Sequence, residues 1–365
     1  MRKRIRSYLF CFSLLTMCIF FNGCMRTGPD MILLDQFDYA NAIGNAKKQQ
    51  ILMNIVKLRH AEWPVFLEVN QVVAGYNWEQ TANAKLSLRR IFEVTENDNA
   101  ELGYVGRFVE RPTITYSPLG GEKFVRNILT PARPDSLLSL IESGWPADKL
   151  FQTMVHSVNG KRNRNVMYGT DYPADPEFIR FVNLLKKIHI ANAISIRVRQ
   201  TKGQGKISKL NFRTNLLDSQ TRHELDEVKA LLGLNPDVDS YRIIWDSISE
   251  DPNMIAIQTR SVIQVMVAMA LGVEMPTEDI ETGVAIDLKS TQEDVDAVDL
   301  SPLMQIRSGA NAPKDAFVMV RYQDNSFWID RHDHNSKLSL AYLTLLLTVT
   351  ESGDVEGPQL TISTN

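Results

Sequence analysis

The sequence predicts an α+β fold, with largely antiparallel sheets and helices packed on one face, preceded by a cleaved signal peptide. Three observations carry that expectation. Between Ala193 and Gln200, Ile194, Ile196 and Val198 alternate with Ser195, Arg197 and Arg199, the period-2 pattern of a sheet wetted on one side. Just before it, Phe178, Ile179, Val182, Leu185 and Ile188 recur at helical spacing between Pro176 and Ile190. Farther on, Phe317 to Tyr322 and Ser326 to Asp330 flank Gln323-Asp324-Asn325 as the two arms of a hairpin.

Residues 1–23 read as the signal. Arg2, Lys3, Arg4 and Arg6 precede an apolar run from Tyr8 to Phe21, and Phe21-Asn22-Gly23-Cys24 closes it. A basic start stays on the cytoplasmic side while a short apolar stretch enters the export machinery, and a small residue before a cysteine admits a peptidase. The run falls short of the ~20 residues a spanning helix needs. Cleavage between Gly23 and Cys24 and lipidation of Cys24 are therefore expected. Phe21 and Asn22 depart from the usual leucine and serine or alanine of a lipobox, and the alternative is an uncleaved anchor helix. Residue 25 is methionine rather than the aspartate that retains many lipoproteins at the inner membrane, which favours the periplasmic face of the outer membrane. Cys11 and Cys18 leave with the signal, so the mature chain has no second cysteine for a disulfide.

Removing the signal takes four of the 40 basic side chains and no acid, leaving 36 against 43, a net of about −7. A body of that sign has no electrostatic reason to seek nucleic acid. The 342 residues that remain of 365 are more than one core usually serves. The reading divides them into a lipidated tether at 24–30, an N-terminal α+β region at 31–165 and a C-terminal one at 166–365. Met254 to Val273 is the nearest approach to a second membrane span, but Gln258, Arg260 and Gln264 interrupt it, so helix buried in a soluble core is the better reading.

The tether leads into a helix from Asp38 to Leu58, with Ile43, Ile51, Leu52, Ile55 and Leu58 on one face. Pro64 breaks it, and Val65 to Val69 reads as a strand. Trp78 to Ile91 reads as a helix and Glu96 to Ala100 as a polar loop, followed by strands at Gly103 to Val109 and Thr113 to Tyr116. A helix is expected from Glu122 to Leu129, then another capped by Asp135 and ended at Gly144. Leu150 to Val158 is ambiguous between helix and strand, and Asn159-Gly160 marks a turn. Lys161 to Asp175, rich in Asn, Arg, Gly and Pro, reads as a mobile loop or domain boundary. After the helix and strand already described come a strand at Lys206 to Phe212, a helix at Gln220 to Leu232 and a strand at Tyr241 to Trp245. A helix from Thr259 to Leu271 and an acidic excursion from Glu278 to Leu300 follow. The hairpin then leads into a helix from Ser336 to Val349, capped by Asn335 or Ser336, and an edge strand at Gln359 to Ile362.

No segment carries a catalytic signature. Asp330-Arg331-His332-Asp333-His334 has metal-ligand residue types, but strand alternation would put Asp333 opposite the two histidines, and no third distant ligand is indicated. Ser117-Pro118-Leu119-Gly120-Gly121-Glu122 could cradle an anion, yet it lacks phosphate-loop spacing and Glu122 would repel phosphate. Gly-x-Ser-x-Gly is absent, and His60, His156, His189 and His223 have no sequence reason to pair with a serine. No cofactor is implied. Arg107, Arg111, Arg126 and Arg133 form one basic series. Lys161, Arg162 and Arg164 form another, favoured as a surface contact because they lie in a loop.

Five blocks carry a resemblance: Ile51 to Val69, Tyr116 to Pro131, Leu140 to Pro146, Ile255 to Ser261 and Ala316 to Lys337. As a set they resemble a family of uncharacterised bacterial envelope lipoproteins, over most of the mature chain. The resemblance implies location and transfers no functional residue. The expected function is that of a lipid-anchored interaction or structural protein of the cell envelope, part of an envelope or transport assembly, held to the membrane by its N-terminal lipid and meeting an envelope protein partner. The alternative is a periplasmic hydrolase acting on cell-wall or lipid material, for which a pocket with convergent acidic and basic groups would speak. A small-molecule binding module is the third reading.

Overall fold

The computed structural model describes residues 29–86, 100–110, 112–167, 170–201, 205–214, 217–285, 302–351 and 359–364. The expected cleavage site Gly23-Cys24, Arg111 and the acidic run from Asp287 to Asp299 lie outside the described residues. The chain divides into two units, 1–47 and 48–365. What is described of the first is the opening of helix α1 (Pro29–Arg59), which starts inside the expected tether because a proline is well suited to a helix's first position. The rest of α1 belongs to the second unit, where Ile51, Leu52, Ile55 and Val56 form a fully buried stripe. Asn54 pins the chain that follows: its Nδ2 donates to Val65 O at 2.8 Å and its Oδ1 accepts from Val65 N at 3.0 Å.

Strand β1 (Leu67–Leu86) runs antiparallel to β2 (Ala100–Glu110) and β3 (Thr113–Pro118), making a long two-stranded ribbon. This corrects the helix expected from Trp78 to Ile91 as far as Leu86, its remainder lying outside the described residues. Alanine, glutamine, lysine and leucine favour helix locally, but Asn77, Glu79, Thr81, Asn83 and Lys85 interleave with the less polar positions at period 2, and pairing with β2 overrides propensity. Strand β15 (Gln359–Thr364) joins the other edge of β1 in parallel, from Gln71 to Tyr76.

Helix α2 (Gly121–Phe124) passes into a π-helical turn at Val125–Leu129. Helix α3 (Pro134–Glu142) is not capped by Asp135. Pro134 starts the helix one residue earlier, placing Asp135 in the first turn, where its carboxylate accepts from Ser208 Oγ instead. The ambiguous stretch resolves into both possibilities, helix α4 (Ala147–Met154) and strand β4 (Val155–Val158). Asn159 and Gly160, with φ of 42° and 80°, turn the chain into β5 (Lys161–Arg162). The expected loop also contains β6 (Asn165–Met167) and β7 (Thr170–Tyr172), and Asp175 N donates to Arg162 O at 2.8 Å.

Helix α5 (Pro176–Ile190), β8 (Ile194–Thr201), β9 (Gly205–Phe212), α6 (Ser219–Leu231), β10 (Ser240–Ile244) and β11 (Met254–Thr259) follow in order. The main sheet is ordered β5-β4-β11-β10-β9-β8, antiparallel except where β10 meets β11. Phe151 of α4, Phe181 and Leu185 of α5, and Val228 of α6 join Ile196, Phe212, Ile243 and Ile257 of the sheet in one buried cluster. Through β4, residues 48–165 and 166–365 share that sheet and that core. The molecule is thus α+β, with mixed, mostly antiparallel sheets.

Met254 to Val273 is split between β11, the pair Arg260-Ser261 and helix α7 (Val262–Ala270), begun by a reciprocal capping box of Ser261 and Gln264. No helix among the described residues is long and apolar enough to cross a membrane. Helix α8 (Thr277–Glu281) opens the acidic region. A small sheet of β12 (Arg307–Gly309), β14 (Asn325–Ile329) and β13 (Val318–Tyr322) precedes α9 (His334–Glu351). Asp333, rather than Asn335 or Ser336, caps α9, because its Oδ1 lies 3.0 Å from the Ser336 N–H.

Candidate functional site

Two features stand out: a basic cleft beside the segment 161–164 and an apolar face on the ribbon. The cleft has a volume of about 240 Å³. Lys149 and Gln152 reach it from α4, Asn163 and Arg164 from the connection between β5 and β6, and Arg260 from the joint between β11 and α7. Phe178, Ile179 and Val182 of α5 form one apolar wall, and Leu271, Pro302 and Leu303 another. Among the described residues three cations line this cleft and no Asp or Glu does.

Arg260 is the side chain that sequence reasoning missed. It is only 2 % exposed, the bulkiest of the fully buried residues. Its Nη1 donates to Gln152 O and Thr153 O, each at 3.2 Å, and its Nη2 to Arg164 O. Gln152 and Thr153 are in the last turn of α4, where unpaired carbonyls carry the negative end of the helix dipole. Asn163 reinforces the same end, donating Nδ2 to Gln152 O and Val155 O at 2.8 Å each. Among the described residues no carboxylate pairs with Arg260. Burial lowers its pKa to about 10, so it is a cation at neutral pH. Burial, then Arg260 and Arg162, hold the His156 imidazole below its ordinary pKa, which favours its neutral form. The one sequence signal for Arg260 was an arginine interrupting an otherwise apolar run.

Of the residues favoured as a surface contact, Lys161 pairs with Glu177 at 2.6 Å and Arg162 with Asp175 at 3.5 Å, while Arg164 lines the cleft. Arg126 and Arg133 are exposed on the π-helical turn and before α3, and the side chain of Arg107 is outside the described set. Asp330 accepts from His332 N at 2.7 Å and lies 3.3 Å from its Nδ1, and Asp333 is occupied in capping α9. Among the described residues no three of His, Cys, Asp and Glu converge as metal ligands. In the glycine-rich turn, Gly121 has φ of 58°, and Lys123 beyond it pairs with Glu68 at 2.5 Å.

The ribbon separates its two faces. At its root, Leu67 pairs with Pro118, Val69 with Tyr116 and Val72 with Ile114, whereas Glu68 pairs with Ser117 and Gln71 with Thr115. A bulge at Asn70 adds one residue to β1. Its effect is to switch parity, so the odd apolar positions before it and the even ones after it fall on one face. Asn70 Nδ2 donates to Ser117 Oγ at 2.6 Å. The same parity continues outward in the register positions Trp78↔Phe108, Ala82↔Tyr104 and Ala84↔Leu102, alternating with Glu79↔Arg107 and Lys85↔Glu101. Leu67, Ile114 and Tyr116 are 46 %, 41 % and 54 % exposed. Trp63, also exposed, stands 5.7 Å from the Phe124 ring beside this root.

No protein-family model, curated protein or solved structure matches the chain.

Proposed function

We propose that this chain is a lipid-anchored protein of the bacterial cell envelope, tethered through Cys24 at the periplasmic face of the outer membrane, and that it works by protein contact through its β-ribbon. The observation that carries the reading is the exposed apolar trio Leu67, Ile114 and Tyr116 on one ribbon face, beside the buried Val72. A monomer that finished its work alone would gain by covering such a face, since each buried Å² of apolar surface contributes about 25 cal/mol. Among the described residues β2 pairs only with β1, so its outer edge also offers backbone donors and acceptors to another strand. The apolar run and Gly23-Cys24 supply the address, and the net negative body fits an envelope protein partner better than nucleic acid. Among the described residues the cleft offers three cations and no carboxylate to act as general acid or base.

A photo-activated cross-linker placed at Tyr116 in the full chain, in cells, tests the contact. Discrete protein adducts are expected there and not at Arg242, an exposed position on the main sheet. Adducts to lipid alone, or none at either position, would overturn the reading. The address is tested separately by mass spectrometry of the amino terminus, where a diacylglyceryl-cysteine at position 24 is expected and an intact Met1 or an unacylated terminus would remove it.

A further inference from the structure

The interaction reading leaves the cleft unused. Its floor is a guanidinium that is almost entirely out of water, in a chain where acids outnumber bases by 43 to 40. Taking a cation into the interior is costly, and three carbonyls, two of them at a helix end, offset that cost without supplying a counter-charge. Lys149 stands at the same cleft, half-buried in the first turn of α4 with no ion pair among the described residues. Two basic residues therefore line one concave space, together with the polar Gln152, Asn163, Arg164 and Asn183 and the apolar Phe178, Ile179 and Leu303.

The geometry points to a binding site for a small amphipathic anion, its negative group between Arg260 and Lys149 and its apolar body against Phe178, Ile179 and Leu303. The volume limits the ligand to on the order of ten non-hydrogen atoms. A carboxylate and a phosphate monoester share the required chemistry, an anionic head able to accept several N–H bonds at once. The α4 carbonyls already orient the Arg260 guanidinium, so little side-chain freedom would be lost on binding. The site does not depend on the ribbon contact.

The test uses the full-length lipidated protein in detergent, titrated with hexanoate, phenyl phosphate and hexanol while the thermal transition and the heat of binding are followed. Either anion is expected to raise the transition saturably, and hexanol is not; which anion binds tighter assigns the head group. Lys149→Gln is expected to weaken anion binding at least tenfold, while Lys209→Gln, on the exposed side of β9, leaves it unchanged. Arg260→Lys is the second variant: it retains a charge but loses the planar fork, and is expected to weaken binding further. Should Arg260→Lys fail to fold, Lys149→Gln alone still decides. Equal stabilisation by hexanol and hexanoate, no response to either anion, or binding indifferent to Lys149→Gln would each overturn the assignment.

Discussion

At the residue scale, Asn163 and Gly272 show how single side chains, or their absence, hold this body together. Asn163 joins the end of α4 to the loop beyond β5, and its amide is committed to carbonyls that have no other side-chain donor except Arg260. Asn163→Ala should cost about 1–3 kcal/mol, because it removes two hydrogen bonds and leaves Val155 O without its side-chain donor, and the loss would be read from the urea midpoint. Gly272 follows α7 at a point where the chain near Met304 passes directly over it. A Cβ there would meet Met304 O at 1.7 Å, and the backbone cannot withdraw because Ile306 N donates to Gly272 O at 2.9 Å. Gly272→Ala should therefore destabilise by about 3 kcal/mol, far more than a glycine-to-alanine change on an open helix surface. Neither residue was legible in the sequence, since both owe their importance to a neighbour from a distant segment.

Among the elements, those with strong local periodicity were legible. The face of α5 read from Phe178, Val182, Leu185 and Ile188 is the face that is buried, and Ile194 and Ile196 point inward from β8 as alternation required. Trp78 to Leu86 was misread because its composition favours helix while its alternation is only partly apolar, and pairing with β2 settles the matter from outside the segment. The Ser261–Gln264 box is local, and Ser261→Ala should cost about 1 kcal/mol, measurable by the same denaturation. The seam between α5 and α6 makes a different prediction. Lys187 bonds Glu224 at 2.8 Å, and Arg180 bonds Glu227 at 2.6 and 2.8 Å. Hydrogen bonds from Lys187 and Gln220 hold the Glu224 pKa down, and the bond from Arg180 does so for Glu227. Carboxyls whose folded pKa is depressed stabilise above their unfolded value and lose that contribution as pH falls through the folded one. Urea midpoints should accordingly decline as pH drops below about 4.3, and the decline should flatten in Glu224→Gln with Glu227→Gln.

For the whole molecule, sequence suggested α+β content, which the structure shows, and two regions, across which β4 and β11 pair in one sheet. Nothing in either half announces that β4 inserts beside β11, because strand partners across a sheet are selected by the assembled core rather than by local pattern. The shared cluster predicts that residues 48–365 unfold in one step, so fluorescence and far-UV circular dichroism should give coincident urea transitions. Two separated transitions would show that the regions unfold apart. The candidate site was legible only in its rim: Arg164 could be picked out from a basic loop, whereas the floor is made by a residue that looked like an interruption.

The place of β4 in the sheet also orders events in time. Ser157 bonds Gln258, 101 positions later, so the sheet's middle cannot close until that stretch has emerged. A nascent chain delivered amino end first would carry its early strands loose for much of its synthesis, their edges open until the later half arrives to cover them.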